Sequence, residues 1–477
     1  MMNAAGQTCL HQTLSNVTWS LAHLYTPDIK LLGLVASMAT TYMEGFKPFE
    51  LSMLLWGFAK TGVVEEMPHA IEVVFRTASS QITASFGHFS FRSLAMIVWA
   101  FATARQRDPR LFSGIAAEMR RNASAANCQE VGNTVWAFAS AGHRDKKMLT
   151  TLAQAAVPLI REFKAQEISN MLWGFATLGF FHEEVFLSSI AAALRMDLGS
   201  QHLAIILWAC SKVMPKHSAM DSLIISFAPL CVSRLGAFKP QEVSSTVQAL
   251  AKVLTQDKEE AETSASNLLF GGIAPLHEDV MMLLDALAHR VARTALALTP
   301  AAFVTAVCSL LSLGERSGRR PDHVLEQAVM LRVPELALGE KVTLLEAFLS
   351  PPCVARGVVS VLAANLASAL DSLQNKDFQA LVQLCRTARR VPDDAADPGR
   401  GELVSWCLAL AAGLPDAMLQ AEGPDCEPQA DADPCSGSDA SSEISELDEG
   451  VFDAPAGSEY RVDTAESLPF MEWRPKA

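Results

Sequence analysis

The chain has 477 residues, half of them apolar, ten cysteines and a formal net charge of −14. No apolar run reaches the roughly 18 residues that a membrane-spanning helix needs, and no CxxC pair or finger-like Cys/His spacing occurs, so the composition excludes a transmembrane protein and a zinc finger and favours a reducing compartment. The negative charge is concentrated at the end, because residues 401–477 hold 3 basic and 17 acidic side chains while residues 1–400 sum to zero.

Residues 10–255 contain a motif that recurs seven times around a central Trp or its substitute. The centres are Trp19, Trp56, Trp99, Trp136, Trp173, Trp208 and Gln248. They are 35 to 43 residues apart, a period typical of stacked helical units. We therefore predict an all-α fold, an α-solenoid of helical-hairpin repeats of about 37 residues. Because the first repeat begins almost at once and no targeting peptide is visible, we expect the gene model to lack its true beginning.

On a helix, the columns of the repeat fall on three faces. Counted from the central Trp, positions −5, −1 and +2 are apolar, as in Leu51, Leu55 and Phe58, and predict the buried face. Positions −4 and +3 are small, as in Ser52 and Ala59, which predicts that neighbouring helices approach closely. The Trp would then fill the space between repeats, which we favour over a role in stacking on nucleic-acid bases.

Positions −7, −3 and +4 form a third, mostly polar face. Its amides and hydroxyls can hydrogen-bond base edges, one base per repeat, as in helical-repeat RNA readers. The candidate RNA-binding residues of this kind are Gln129, Asn133, Ser140, Gln166, Asn170, Thr177, Gln201, Gln241 and Ser245. The candidate phosphate contacts on the same face are Lys60, Arg92, Lys212 and Lys252. The alternative is a plain solvated helix side, and a net charge of only +3 over residues 1–250 is far from a strongly basic footprint.

Each Trp-bearing helix is followed by a second amphipathic helix, as at residues 111–121, 148–163 and 185–195. Three helices that carry the repeat motif begin with related sequences, FKPFE at 46–50, FKAQE at 163–167 and FKPQE at 238–242. A Pro just inside a helix start loses no hydrogen bond, and a Glu there favours the positive end of the helix dipole. We expect these starts to fix the register of the repeat.

The pattern weakens after residue 255. Residues 256–276 predict an exposed loop or an insertion between repeats. Residues 277–413 indicate degenerate or capping repeats, with Cys308, Glu346 and Gln383 at the Trp position. Residues 414–477 are acidic and rich in Ser, and we predict a disordered tail because they cannot bury enough apolar surface to offset chain entropy.

The segments WAFASAG at 136–142 and WGFATLG at 173–179 carry a resemblance to known families. The chain resembles the octotricopeptide and heptatricopeptide repeat proteins and the leucine-rich region of the FAST-kinase-like family, over residues 10–255 and more thinly to 390. The resemblance implies a superhelix that binds single-stranded RNA in the mitochondrial matrix or a plastid and supports processing, stability, editing or translation of transcripts. Such proteins often end in a RAP domain of nuclease-like fold, whereas the acidic segment stands there in this chain, which removes the reason to expect cleavage.

Catalytic motifs are absent from the sequence: it holds no GxGxxG, Walker loop, HExxH or GxSxG pattern. We therefore predict that the protein is not an enzyme and uses no cofactor, metal or small-molecule substrate. Single-stranded RNA is the predicted partner, and the acidic tail is predicted to engage other proteins. The alternative function is a HEAT- or armadillo-like scaffold that holds a partner protein.

Overall fold

The computed structural model describes residues 4–255, 276–317, 322–349 and 355–369. Every regular element within these ranges is a helix, so the predicted all-α fold is confirmed. The helices alternate along the chain between two kinds, which we call A and B. The A helices are α1 (Ala4–Leu24), α3 (Pro48–Lys60), α5 (Phe91–Thr103), α7 (Cys128–Ser140), α9 (Ala165–Thr177), α11 (Ser200–Val213), α13 (Pro240–Leu254), α15 (Pro300–Ser317) and α17 (Leu338–Leu349). The B helices are α2 (Ile29–Thr41), α4 (Pro68–Thr83), α6 (Pro109–Arg121), α8 (Lys146–Ala156), α10 (Glu183–Ala193), α12 (Ala219–Arg234), α14 (Glu278–Arg293), α16 (His323–Arg332) and α18 (Arg356–Ala369).

The helices stack in two layers. Each A helix packs against the A helix of the next hairpin, from α1 through to α17. The B helices form a second layer in the same order, from α2 to α10 and from α12 to α18. Helices of one layer therefore contact the equivalent helices of the hairpins before and after them, which confirms the predicted α-solenoid.

The core lies between the two layers and is built from the predicted apolar columns. Leu51, Leu55 and Phe58 of α3 are completely buried, and Ile168 and Phe175 of α9 are buried in the same way. Burial of each such side chain stabilises the fold by about 1.5–3 kcal/mol. A repeat protein gains this stabilisation hairpin by hairpin, so its core grows with the number of hairpins.

The small residues at position −4 let the A helices approach each other at a fixed register. A Cβ on Gly132 would lie 3.0 Å from the carbonyl oxygen of Glu167 in the next A helix. Where the residue is Ser, its hydroxyl can bond the equivalent carbonyl, as Ser15 does to Glu50 at 2.8 Å. In both cases position −4 meets position −6 of the following repeat, so this contact sets the offset between hairpins.

The Trp side chains form a row along the A layer. The ring centroids of Trp56 and Trp99 are 6.1 Å apart, and those of Trp99 and Trp136 are 6.4 Å apart. Trp56 is only 1% exposed. The predicted place of the Trp between repeats is confirmed. At the start of the row the His23 ring lies against both Trp19 and Trp56.

The recurring Glu at the start of several A helices makes a direct hydrogen bond. The carboxylate of Glu50 accepts the backbone N–H of Lys47 at 3.1 Å, and Glu167 accepts that of Lys164 at 2.9 Å. The predicted Pro48 occupies the first turn of α3. Our expectation that the Glu acts through the helix dipole was therefore incomplete. Its carboxylate also accepts a hydrogen bond from a backbone N–H that has no partner within the helix.

The weak repeats after residue 255 keep the same register. The Ser244 hydroxyl of α13 bonds the Ala302 carbonyl of α15 at 3.1 Å, which is again position −4 against position −6 when Cys308 is the centre. Helix α17 carries Glu346 and packs on α15. Helices α13 and α14 pack together, and α13 also packs against α15. The repeat around Gln383, the tail at 414–477 and all but the last residue of the loop at 256–276 lie outside the described residues.

Candidate nucleic-acid interface

The predicted polar face recurs on the seven A helices from α1 to α13, and we call positions −7, −3 and +4 of these helices the A face. These twenty-one positions contain no Asp or Glu, although residues 1–250 hold 17 acidic side chains. They contain four Lys or Arg and one His. The net charge of this part of the chain is modest, but the A face itself contains no carboxylate.

The +4 column of the A face is at least partly accessible in all seven hairpins. From the first to the seventh hairpin its residues are His23, Lys60, Thr103, Ser140, Thr177, Lys212 and Lys252. Three of them, Ser140, Lys212 and Lys252, are exposed, and the other four are half-buried. The column thus places cations near both ends and hydroxyl groups in the middle.

The −7 column carries the amides. Gln241 is exposed, whereas Gln129, Gln166, Gln201 and, in the third hairpin, Arg92 are half-buried. These side chains keep part of their polar surface in contact with solvent. They lie one turn of helix before the −3 column and two turns before the Trp.

One amide of this column is held in place by two neighbours. Gln166 donates through Nε2 to the Oδ1 of Asn170 at 2.8 Å. Its Oε1 lies 3.3 Å from Nε2 of His202, which belongs to the next A helix. The Nδ1 of His202 accepts the backbone N–H of Gly199 at 3.2 Å, so the ring hydrogen lies on Nε2 and is donated to Gln166. Burial lowers the pKa of His202, which keeps this ring neutral.

The −3 column differs from our expectation of a solvent-facing polar column. Asn133 is 1% exposed, and Asn170 and Ser245 are also buried. Asn133 directly follows Gly132, where α7 and α9 approach each other closely. The Ser245 hydroxyl is bonded to the Gln241 carbonyl at 2.8 Å within its own helix.

Several polar atoms of the A face and of the Trp row have no protein partner. The donors Asn133 Nδ2, Trp56 Nε1 and Trp136 Nε1 are buried without a hydrogen bond, as are the hydroxyls of Thr103 and Thr177 at position +4. A buried donor without a partner costs about 1–3 kcal/mol. These atoms expose almost no surface, so they are enclosed by the packed helices and do not themselves form a ligand site.

Two lysines, Lys212 and Lys252, occupy the last two positions of the +4 column. The Lys212 ammonium lies 4.8 Å from the centroid of the Trp208 ring. Partial burial lowers the pKa of Lys212, and the positive charge of Lys252 in the next hairpin lowers it further. At the other end of the column the Lys60 ammonium lies 5.3 Å from the Tyr25 ring. Lys212 and Lys252 are like charges on adjacent A helices, and a phosphate group bound between them would relieve their repulsion.

The acidic residues nearest to the A face point back into their own helices. Glu50, Glu130, Glu167 and Glu242 are buried at position −6, and each carboxylate accepts a backbone N–H at its helix start. Burial raises the pKa of Glu167. These carboxylates therefore present little negative charge to a ligand on the A face.

Sequence reasoning missed two features of this region. His202 stands at position −6, where four other hairpins have Glu, and the substitution itself was the available signal. Arg105 has φ +53 at the end of α5, a position that is Gly142 or Gly179 in later hairpins. The glycines at the same position of other hairpins, Gly62, Gly142 and Gly179, were the available signal, because glycine is favoured where a helix ends in the left-handed region.

Among the described residues, no three His, Cys, Asp or Glu side chains come together as possible metal ligands. Burial raises the pKa of Cys128 to about 11 and that of Cys210 to about 12, so these thiols stay protonated at neutral pH. The stretch Ala219–Ala237 is long and apolar enough to span a membrane by length and composition, but its Phe227 and neighbouring apolar side chains pack into the core of the solenoid.

Comparison with known proteins gives one family. The model of the RNA-editing substrate-binding complex 6 protein family matches residues 28–266, which is half of the chain. The match begins at the residue before α2 and runs through α13, so it covers six of the seven A helices of the A face. A search of the curated proteins finds no match.

Proposed function

Because the chain belongs to the RNA-editing substrate-binding complex 6 protein family, we propose that it binds single-stranded RNA along its A face and acts in organellar RNA processing. The proposed compartment is the mitochondrion. The proposed role is binding and positioning of an RNA substrate, with no catalytic step. A helical-repeat array suits this role because each hairpin can meet one base of an extended strand.

The observation that carries the proposal is the absence of carboxylates from the A face. A polyanion is repelled by surface Asp and Glu, and the twenty-one A-face positions contain none. The cations at Lys60, Arg92, Lys212 and Lys252 are spread over four hairpins, so they can meet several phosphates of one strand. The amides and hydroxyls between them supply hydrogen bonds to bases.

The proposal is tested by equilibrium binding of fluorescein-labelled RNA to the full-length protein. Fluorescence anisotropy is measured for a single strand and for the same strand in a duplex, at several salt concentrations. We expect binding of the single strand with a slope of log K against log salt of about −3, from about 0.7 for each of the four cations. A duplex cannot splay its bases onto successive hairpins, so its binding should be much weaker.

Two outcomes would count against this function. Absence of RNA binding, or binding that does not change with salt, would contradict an RNA-binding A face. A complex with another protein that occupies the A face and survives ribonuclease treatment would instead support the scaffold alternative. The two functions therefore make opposite predictions for the same purified protein.

A further inference from the structure

Helix α1 is followed by a left-handed turn residue that is a tyrosine. Tyr25 has φ +52 and stands six residues after the Trp of its hairpin. The same position in three later hairpins is Gly62, Gly142 or Gly179, all with positive φ, because glycine adopts this conformation without a steric cost. Among the described residues, only Tyr25 and Arg105 have a positive φ without being glycine.

Tyrosine fits this turn less well than glycine does. The N–H of the next residue, Thr26, bonds the Leu21 carbonyl at 3.4 Å, whereas the equivalent bond that follows Gly142 or Gly179 measures 2.9 Å. A residue with a Cβ also carries a steric cost in the left-handed region. Backbone strain of this kind is a reason to look for a function of the side chain that causes it, which here is the ring of Tyr25.

The Tyr25 side chain extends into solvent, where it is 68% exposed. The residues at the equivalent position of the next four hairpins, Gly62, Arg105, Gly142 and Gly179, are exposed as well. The turn after an A helix therefore faces solvent within the array too. The exposure of Tyr25 thus belongs to its position in the repeat and does not depend on what precedes the first hairpin.

A cation of the next hairpin lies beside this ring. The Lys60 ammonium is 5.3 Å from the centroid of the Tyr25 ring, and Lys60 occupies position +4 of its hairpin, so the ring lies at the edge of the A face. A contact between an exposed lysine and a ring contributes less than the left-handed backbone costs, so it does not by itself account for a tyrosine here. Sites for single-stranded nucleic acid combine these two side chains, because the cation meets a phosphate and the ring stacks on a base.

The Trp side chains of the array are not available for such stacking. Trp56 is only 1% exposed, and its ring lies between those of His23 and Trp99. Tyr25 therefore differs from the Trp row in the property that stacking requires, which is a ring face open to solvent. Lys60 lies over one face of the Tyr25 ring, and the exposed fraction of the side chain is too large for both faces to be covered.

We propose that Tyr25 and Lys60 form a nucleotide-binding site at the edge of the A face. One base of a single-stranded RNA stacks on the open face of the Tyr25 ring, and a neighbouring phosphate contacts Lys60. The inference rests on the proposed function and adds to it a residue that lies outside the A-face columns. Because every base has a π-face, this site contributes affinity and does not select one base. The carboxylate nearest to Tyr25 along the chain, that of Asp28, accepts the backbone N–H of Leu31 at 3.0 Å.

The test compares full-length Tyr25→Gly with the wild type by fluorescence anisotropy of the fluorescein-labelled single strand. Glycine removes the ring and suits the left-handed turn, so the variant should unfold at the same temperature as the wild type or at a higher one. We expect its Kd for RNA to rise by at least about fivefold, the smaller effect expected for loss of one base–aromatic stack. The slope of log K against log salt should stay that of the wild type, because no phosphate contact is lost.

Three controls separate stacking from charge and from general damage. Tyr25→Phe keeps the ring and should bind RNA like the wild type. Tyr42→Ala removes a tyrosine that is 40% exposed just after α2, off the A face, and should leave RNA binding unchanged. Inorganic polyphosphate is a polyanion without bases, and it should bind Tyr25→Gly and the wild type equally well.

Each other result would overturn the site. An unchanged Kd in Tyr25→Gly, with a wild type that binds RNA, would remove Tyr25 from the interface and leave the proposed function in place. A smaller salt slope with an equal loss of polyphosphate binding would show that the variant acts through the charge of Lys60, and weak binding by Tyr25→Phe would show that the hydroxyl makes the contact instead of the ring. Absence of RNA binding by the wild type would contradict the proposed function and this site with it.

Discussion

Lys212 and Lys252 stand at the same position of consecutive A helices, and the pKa of Lys212 is lowered first by its partial burial and further by the charge of Lys252. The protein thus brings two like charges together at one end of the A face without an acidic residue in the same columns. Such an arrangement raises the free energy of the unbound protein and is relieved by an anion. It follows that these two lysines should be prominent among the contacts to RNA.

Replacing both lysines should weaken RNA binding in a salt-dependent way. In Lys212→Gln/Lys252→Gln the slope of log K against log salt should fall in magnitude by about 1.4, or about 0.7 for each lost phosphate contact. The matched control is Lys146→Gln/Lys147→Gln, which removes two lysines from the start of α8 and leaves the A face intact. Equal losses in the two double variants would show non-specific attraction instead of binding at the A face.

The stability of the protein should depend on the protonation of His202. Its folded-state pKa is lowered from the usual 6.5, so the neutral ring stabilises the fold above pH 6.5. Stability should then decline as the pH falls from 6.5 toward the lower folded-state pKa, because the unfolded chain takes up the proton first. Thermal unfolding at pH 7.5 and 5.5 should show a smaller decrease for His202→Gln, which keeps an acceptor but does not titrate. The exposed control His69→Gln should behave like the wild type, and an unchanged pH dependence in His202→Gln would contradict the assignment.

Two glycine substitutions should change stability in opposite directions. A Cβ on Gly174 would lie 2.7 Å from Val135 Cγ1 and 2.8 Å from the Val135 backbone, so Gly174→Ala overpacks the contact between α7 and α9. The cost of overpacking, about 1–3 kcal/mol, should exceed the gain of about 1 kcal/mol in helix propensity. A Cβ on Gly33 of α2 would meet no atom within 4 Å, so Gly33→Ala should stabilise by about 0.5–1 kcal/mol. Urea unfolding midpoints measure both, and a stabilised Gly174→Ala would show that the A helices are not as close as described.

Arg105 occupies a helix end that favours glycine. The N–H of Gln106 bonds the Phe101 carbonyl at 2.9 Å, the same bond that follows Gly142 and Gly179 in later hairpins. Because a non-glycine residue in the left-handed region costs about 1–2 kcal/mol, Arg105→Gly should raise the free energy of unfolding by about 1 kcal/mol. The control Arg107→Gly removes an arginine two residues away and should be neutral or destabilising. A loss of stability in Arg105→Gly would mean that its side chain contributes more than the strain costs.

Much of the fold could be predicted from the columns of the repeat. The buried side of each A helix, the place of the Trp and the order of the hairpins all follow from residue types such as Leu51, Phe58 and Trp56. These features depend on one helix and its periodicity, which a sequence shows directly. Even the weak repeat around Cys308 keeps its register, because Ser244 preserves the contact made earlier by Ser15.

The features that were missed depend on distances between helices. Asn133 looks solvent-facing on its own helix, but it is only 1% exposed, next to Gly132 where α7 and α9 approach each other closely. Leu31 and Leu111 each follow the capping Asp of their helix by three residues, but Leu31 is 39% exposed and Leu111 is completely buried. The accessible part of the A face is narrower than the sequence suggested.

The most direct test of an RNA-binding A face is to map where RNA touches the protein. The full-length protein is irradiated with ultraviolet light in complex with single-stranded RNA, and the modified residues are located by mass spectrometry. We expect the adducts to lie along the A helices between Lys60 and Lys252, on or next to the −7 and +4 columns. Adducts confined to the B helices, for example around Lys146 and Lys147, would contradict RNA binding at the A face.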